Sequence, residues 1–168
     1  MKNFMIFSLA LMISAMACAQ PQHKASPHDT VSSKGITVTY GRPYKKGREI
    51  FGKLEPFGKV YRLGADEATQ ITFASDYSFG GKVVKAGTYT LFAIPNQKTW
   101  TLILNAQLGQ WGAFKYDQYK NKDVLRVDLP VNTLPATVEQ LTIRFTAESM
   151  IIEWDKTQVV VPVRAAVK

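Results

Sequence analysis

The chain has 168 residues, of which 46% are hydrophobic and 20% charged, and a formal net charge of +8. That length suits one domain with a sizeable core, and the basic excess favours anionic partners. Its single cysteine, Cys18, excludes a disulfide framework, and the body of the protein has neither a thiol nucleophile nor a cysteine metal site.

Residues 1–19 read as a signal peptide. Lys2 supplies the positive start, and residues 4–16 form an apolar segment too short to span a bilayer core of about 30 Å. Small residues follow at Ala15, Ala17 and Ala19. Two cleavage readings stand side by side. Ala17-Cys18-Ala19 before Gln20 is an A-x-A site that releases a soluble protein. Ala15-Met16-Ala17-Cys18 has the form of a lipobox, with Ala where Leu is usual, and leaves a lipidated Cys18. Both readings export the chain, either to the periplasm or to the outer membrane as an anchored lipoprotein. Export argues against nucleic acid as the anionic partner. Residues 20–33 are polar, with two prolines and several serines, and read as a tether; residues 34–168 read as the domain.

Strand follows strand from Ile36 onward. Residues 36–40 and 69–73 alternate apolar and polar side chains with period two. Residues 77–84 form a hairpin turning on Gly80-Gly81, two residues that take positive φ without steric cost. A longer strand over residues 87–94 stops at Pro95-Asn96, and its antiparallel partner is expected at 99–104. Alternation is cleaner further on. Leu125, Val127 and Leu129 should point inward, followed by Leu141, Ile143 and Phe145, then Met150, Ile152 and Trp154, and finally Val159, Val161 and Val163. One polar face per strand is the mark of an antiparallel sheet covered on one side. The expected fold is therefore all-β: a single antiparallel β-sandwich, immunoglobulin-like or jelly-roll-like, of about nine to ten strands.

Two long irregular segments, residues 43–58 and 106–123, interrupt this pattern; at most a helical turn or two fits the second. Loops of such length are usually functional or disordered. Phe51, Phe57, Trp111, Phe114 and Tyr116 favour order, because they bury area that a disordered loop would expose.

Several short sequences carry a resemblance: Tyr40-Gly41-Arg42-Pro43, Lys46-Gly47-Arg48, Ile50-Phe51-Gly52, Pro56-Phe57-Gly58, Gly64-Ala65, Glu67-Ala68-Thr69, Ala86-Gly87-Thr88-Tyr89 and Trp111-Gly112-Ala113. Through them the chain resembles the bacterial exported domain-of-unknown-function family twenty-nine-eleven (DUF2911), over nearly all of its mature length. Members often carry Trp, Thr and Asn where this chain has Tyr61, Leu63 and Asp66. The resemblance implies export and the all-β fold; it brings no reaction with it.

Candidate chemistry concentrates in the two irregular segments. Arg42, Lys45, Lys46, Arg48 and Arg62 lie in or beside the first, and an arginine fork binds carboxylate or phosphate bidentately. The alternative is that Arg42 and Arg62 bind Asp66, Glu67 or loop carbonyls and merely lock the loop. Trp111, Tyr116 and Tyr61 are candidates for stacking on a sugar ring, with Asp117 as a polar partner, against core packing as the alternative. Acid–base catalysis would call on Glu67 or Asp117, because adjacent Asp66 and Glu67 on an extended chain point to opposite faces. His23 and His28, the only histidines, both lie in the tether, so no triad and no metal centre is expected, nor any cofactor. The leading expectation is a non-catalytic envelope module. It would bind an anionic or glycan-like ligand through Arg42, Lys46, Arg48, Arg62, Glu67, Trp111, Tyr116 and Asp117. A small envelope hydrolase using Glu67 or Asp117, and a protein-interaction module, are the alternatives.

Overall fold

The computed structural model describes residues 24–166. The segment read as a signal peptide, Cys18, His23 and the first residues of the segment read as a tether lie outside the described residues. Among those described, no helix is long and apolar enough to cross a membrane, and no group of three His, Cys, Asp or Glu side chains stands ready for a metal ion.

The elements run β1 (His28–Ser33), β2 (Ile36–Gly41), β3 (Gln70–Phe73), β4 (Tyr77–Phe79), β5 (Lys82–Val84), β6 (Gly87–Ile94), β7 (Thr99–Asn105), α1 (Tyr116–Tyr119), a 3-10 turn (Lys120–Lys122), β8 (Asp123–Phe145) and β9 (Ser149–Ala165). All strand pairs are antiparallel. They join in one nine-stranded sheet of order β1-β2-β3-β6-β7-β8-β9-β4-β5, which does not close into a barrel.

The alternating side chains take the faces expected of them. Leu125, Val127 and Leu129 are buried between exposed Val124, Arg126 and Asp128. Met150, Ile152 and Trp154 are buried, as are Val159, Val161 and Val163. Gly80 and Gly81 turn the β4–β5 hairpin with φ of 59° and 84°, the pairing of a type I′ turn.

Two features depart from the expected plan. Part of the segment read as a tether is β1, paired in register from His28–Gly41 to Ser33–Ile36. And β8 is one strand of 23 residues where two were expected. Its first part pairs with β7 up to Pro130, and from Val131 it pairs with β9. Hydrogen bonding therefore runs unbroken between what would otherwise be two sheets, and the sheet folds over a shared core. Tyr40 of β2 shows the closure, because its hydroxyl accepts from the Ile143 amide of β8 (2.8 Å).

The first irregular segment is pinned to that core. Ile50 is fully buried. The Phe51 ring stands edge-on to Trp100 and Trp154, with centroids 4.7 and 6.0 Å apart. Further along, Tyr61 bridges to Ala93 of β6 through both backbone amides (2.7 and 2.9 Å). The two irregular segments also meet each other. The Ala68 amide donates to Gln110 O (2.9 Å), the Gly112 amide to Asp66 O (3.0 Å), and Glu67 bridges to Trp111.

Candidate functional site

The run from Arg62 to Asp66 is held in an unusual backbone. Leu63 and Asp66 both have positive φ, 53° and 63°, a region that non-glycine residues seldom occupy and that costs on the order of 1 kcal/mol or more each. The surroundings impose it. Gly41, at the end of β2, passes so close beneath this run that a Cβ there would sit 2.3 Å from the Ala65 carbonyl oxygen. Thr69 Oγ1 donates to Leu63 O (2.7 Å). Leu63 is fully buried. The sequence pairs Tyr40-Gly41 and Gly64-Ala65 are thus two sides of one backbone crossing.

This strained run forms one wall of a cavity of about 580 Å³. The first irregular segment supplies Tyr44, Lys46, Arg48, Leu54 and Glu55; Trp154 lies among the lining residues, and residues 25–27 complete the rim. Asp66 fastens that rim, because its carboxylate accepts from the amides of Ala25 (3.1 Å) and Ser26 (3.2 Å). With Asp66 so engaged, the charges left facing the cavity are mainly those of Lys46, Arg48, Arg62 and Glu55.

Arg62 is half-buried and uses Nε alone, donating to Gly64 O (3.1 Å). Its two terminal nitrogens make no hydrogen bond among the described residues. Arg48 is exposed; its Nε donates to Lys45 O (2.9 Å) and its Nη2 to Tyr44 O. Those bonds aim the Arg48 guanidinium without neutralising it.

Glu55 is the residue that sequence reading missed. It is half-buried beside these two arginines, yet no hydrogen bond or ion pair reaches its carboxylate among the described residues. Burial pushes it up to about 7, against the opposing pull of Arg62 and Arg48. Near neutral pH it is therefore an even mixture of acid and carboxylate. One of only two acids among seven basic residues between 42 and 62, set in Leu54-Glu55-Pro56, was the available signal.

The remaining expected site residues separate into distinct roles. Arg42 does not face the cavity. Its guanidinium is used by Leu141 O (3.1 Å), Thr142 Oγ1 (3.1 Å) and Asp29 Oδ2 (3.2 Å), so it ties β2 to β8 and β1. Glu67 accepts from His28 Nε2 (3.0 Å) and pairs with Lys24 (3.0 Å). Slight burial pushes its carboxyl up, but the hydrogen bonds from Lys24, its own amide and His28 outweigh that and hold it below the ordinary value. Tyr116 is no stacking platform. Its ring is buried edge-on against Phe92 (5.3 Å), and its hydroxyl donates to Asp123 (2.6 Å). Burial and that bond push the hydroxyl up to about 12. Trp111 lines a separate cavity of about 360 Å³ with Phe114 and Tyr119. Asp117 is exposed on α1. The second irregular segment reaches the arginines through Gly112, where a Cβ would lie 3.3 Å from Arg62 Nη1, and through exposed Phe114.

A family model described as protein of unknown function (DUF2911) matches residues 21–163. No curated protein and no solved structure matches the chain.

Proposed function

We propose that this chain, which belongs to the DUF2911 family, is an exported binding module of the cell envelope that takes a small organic anion in the cavity around Arg48 and Arg62. One observation carries the reading. Half-buried Arg62 lines a cavity of about 580 Å³, and its terminal nitrogens have no hydrogen-bond partner among the described residues. A guanidinium whose hydrogen bonds are unmet favours a carboxylate or phosphate, which satisfies two donors at once. Arg48 and Lys46 add positive charge to the same lining. The cavity volume falls within the usual range of small-molecule sites, about 300–1,000 Å³. The signal-peptide reading of residues 1–19 places the module outside the cytoplasm.

Calorimetric titration of residues 20–168 with acetate, inorganic phosphate, glucuronate and glucose 6-phosphate tests the reading. At least one anion should bind, and Arg62→Ala should weaken it by about tenfold or more while the melting temperature stays near that of the parent. Absence of binding by all four, or equal binding by Arg62→Ala, refutes it.

A further inference from the structure

Glu55 and Arg62 line two spaces at once. Besides the large cavity they border a recess of about 220 Å³, completed by Val60, Tyr61, Ala113 and Phe114. Tyr61 is 3% exposed, and its buried hydroxyl has no hydrogen-bond partner among the described residues. Burial first and the charge of Glu55 second hold that hydroxyl well above its ordinary value. Among the described residues, three that carry unmet hydrogen-bonding groups therefore line one small space: Tyr61, Glu55 and Arg62. Buried polar groups are normally satisfied, and each exception is costly enough to require an explanation.

We propose, resting on the anion site above, that the recess takes a hydroxyl-bearing part of the same ligand, which makes the ligand class a hydroxylated anion such as a uronic acid or a sugar phosphate. A hydroxyl both donates and accepts. It donates to Glu55 and accepts from Tyr61 or Arg62, whereas a hydrocarbon leaves all three unmet. Phe114, 80% exposed at the rim, offers an aromatic face to the apolar side of a sugar ring. The anionic group then lies on Arg48 and Lys46 in the larger space, and Arg62 serves both halves.

The test is a calorimetric comparison of glucuronate with cyclohexanecarboxylate, which has the same charge and a six-membered ring but no hydroxyls. The parent should bind glucuronate about tenfold tighter, the factor that 1.4 kcal/mol represents. Tyr61→Phe and Glu55→Gln should each narrow that preference to within about threefold. A parallel titration with glucose 6-phosphate tells a phosphate-bearing ligand from a carboxylate-bearing one. If the two carboxylates bind equally well, or if the variants keep the full preference, the hydroxyl recess is wrong and the anion site stands. If nothing binds in any titration, both readings fall.

Discussion

Replacing Glu55 by Gln should make the protein more stable at alkaline pH and leave it unchanged in acid. A carboxyl whose pKa is about 7 when folded and 4.5 in its ordinary state holds its proton more tightly in the native protein. Between those values the unfolded chain binds fewer protons, so stability falls as pH rises from about 4.5 to 7. At about 1.36 kcal/mol per pH unit the loss has a ceiling near 3 kcal/mol. Water reaching the half-open cavity screens the charge and lowers the expected loss to about 1–2 kcal/mol. Gln is close to Glu in shape and cannot ionise. Urea unfolding of both proteins at pH 4 and pH 8 reads the effect directly. With an m-value of about 2 kcal/mol per molar, the variant's midpoint should exceed the parent's by roughly 0.5–1 M at pH 8 and match it at pH 4. Equal midpoints at pH 8 would mean that the carboxyl is neither desolvated nor strained by its place beside the cavity, and the reasoning would fail.

The same ionisation opposes an anionic ligand, so affinity for glucuronate should fall as pH rises through 7 and flatten in Glu55→Gln, as calorimetry at pH 6 and pH 8 can show. Gly41→Ala should be the most damaging single methyl in the fold, because the new Cβ would lie 2.3 Å from the Ala65 carbonyl oxygen. We expect a loss of about 3 kcal/mol or outright failure to fold, measured by thermal melting. Arg42→Ala should cost about 1–3 kcal/mol by stranding Leu141 O and Asp29, yet leave anion affinity unchanged, the opposite of Arg62→Ala. Tyr61→Phe removes a buried hydroxyl with no hydrogen-bond partner among the described residues, so the unliganded variant should melt at or slightly above the parent's temperature.

Strands were legible in the sequence wherever one face is apolar. Leu125, Val127 and Leu129 announce their own burial. β1 was not legible, because it is an edge strand held to β2 by hydroxyls, Thr30 to Thr39 (3.2 Å) and Ser32 to Thr37 (2.9 Å), and carries almost no apolar face. Its one readable mark is Lys34-Gly35, a two-residue turn with φ of 47° and 79°. The site was half legible. That the arginine-rich segment is ordered and meets the segment around Trp111 follows from its aromatics. Which arginine keeps unmet donors depends on residues about a hundred positions away. Leu141 and Thr142 occupy Arg42, whereas among the described residues Arg62 bonds only Gly64 O. The uncommon state of Glu55 likewise comes from burial in the folded loop, which no local pattern encodes.

The rim of the cavity is formed by residues 25–27, held there by Asp66. This segment is also the doorway through which the chain enters the domain. The chain therefore enters the domain beside the cavity mouth, and anything that displaces Ala25 and Ser26 also reshapes that mouth. A fragment begun at residue 34 would lose β1 and one jamb of that doorway together, whereas a tug on the upstream chain would be felt first by the strained run at Leu63 and Asp66.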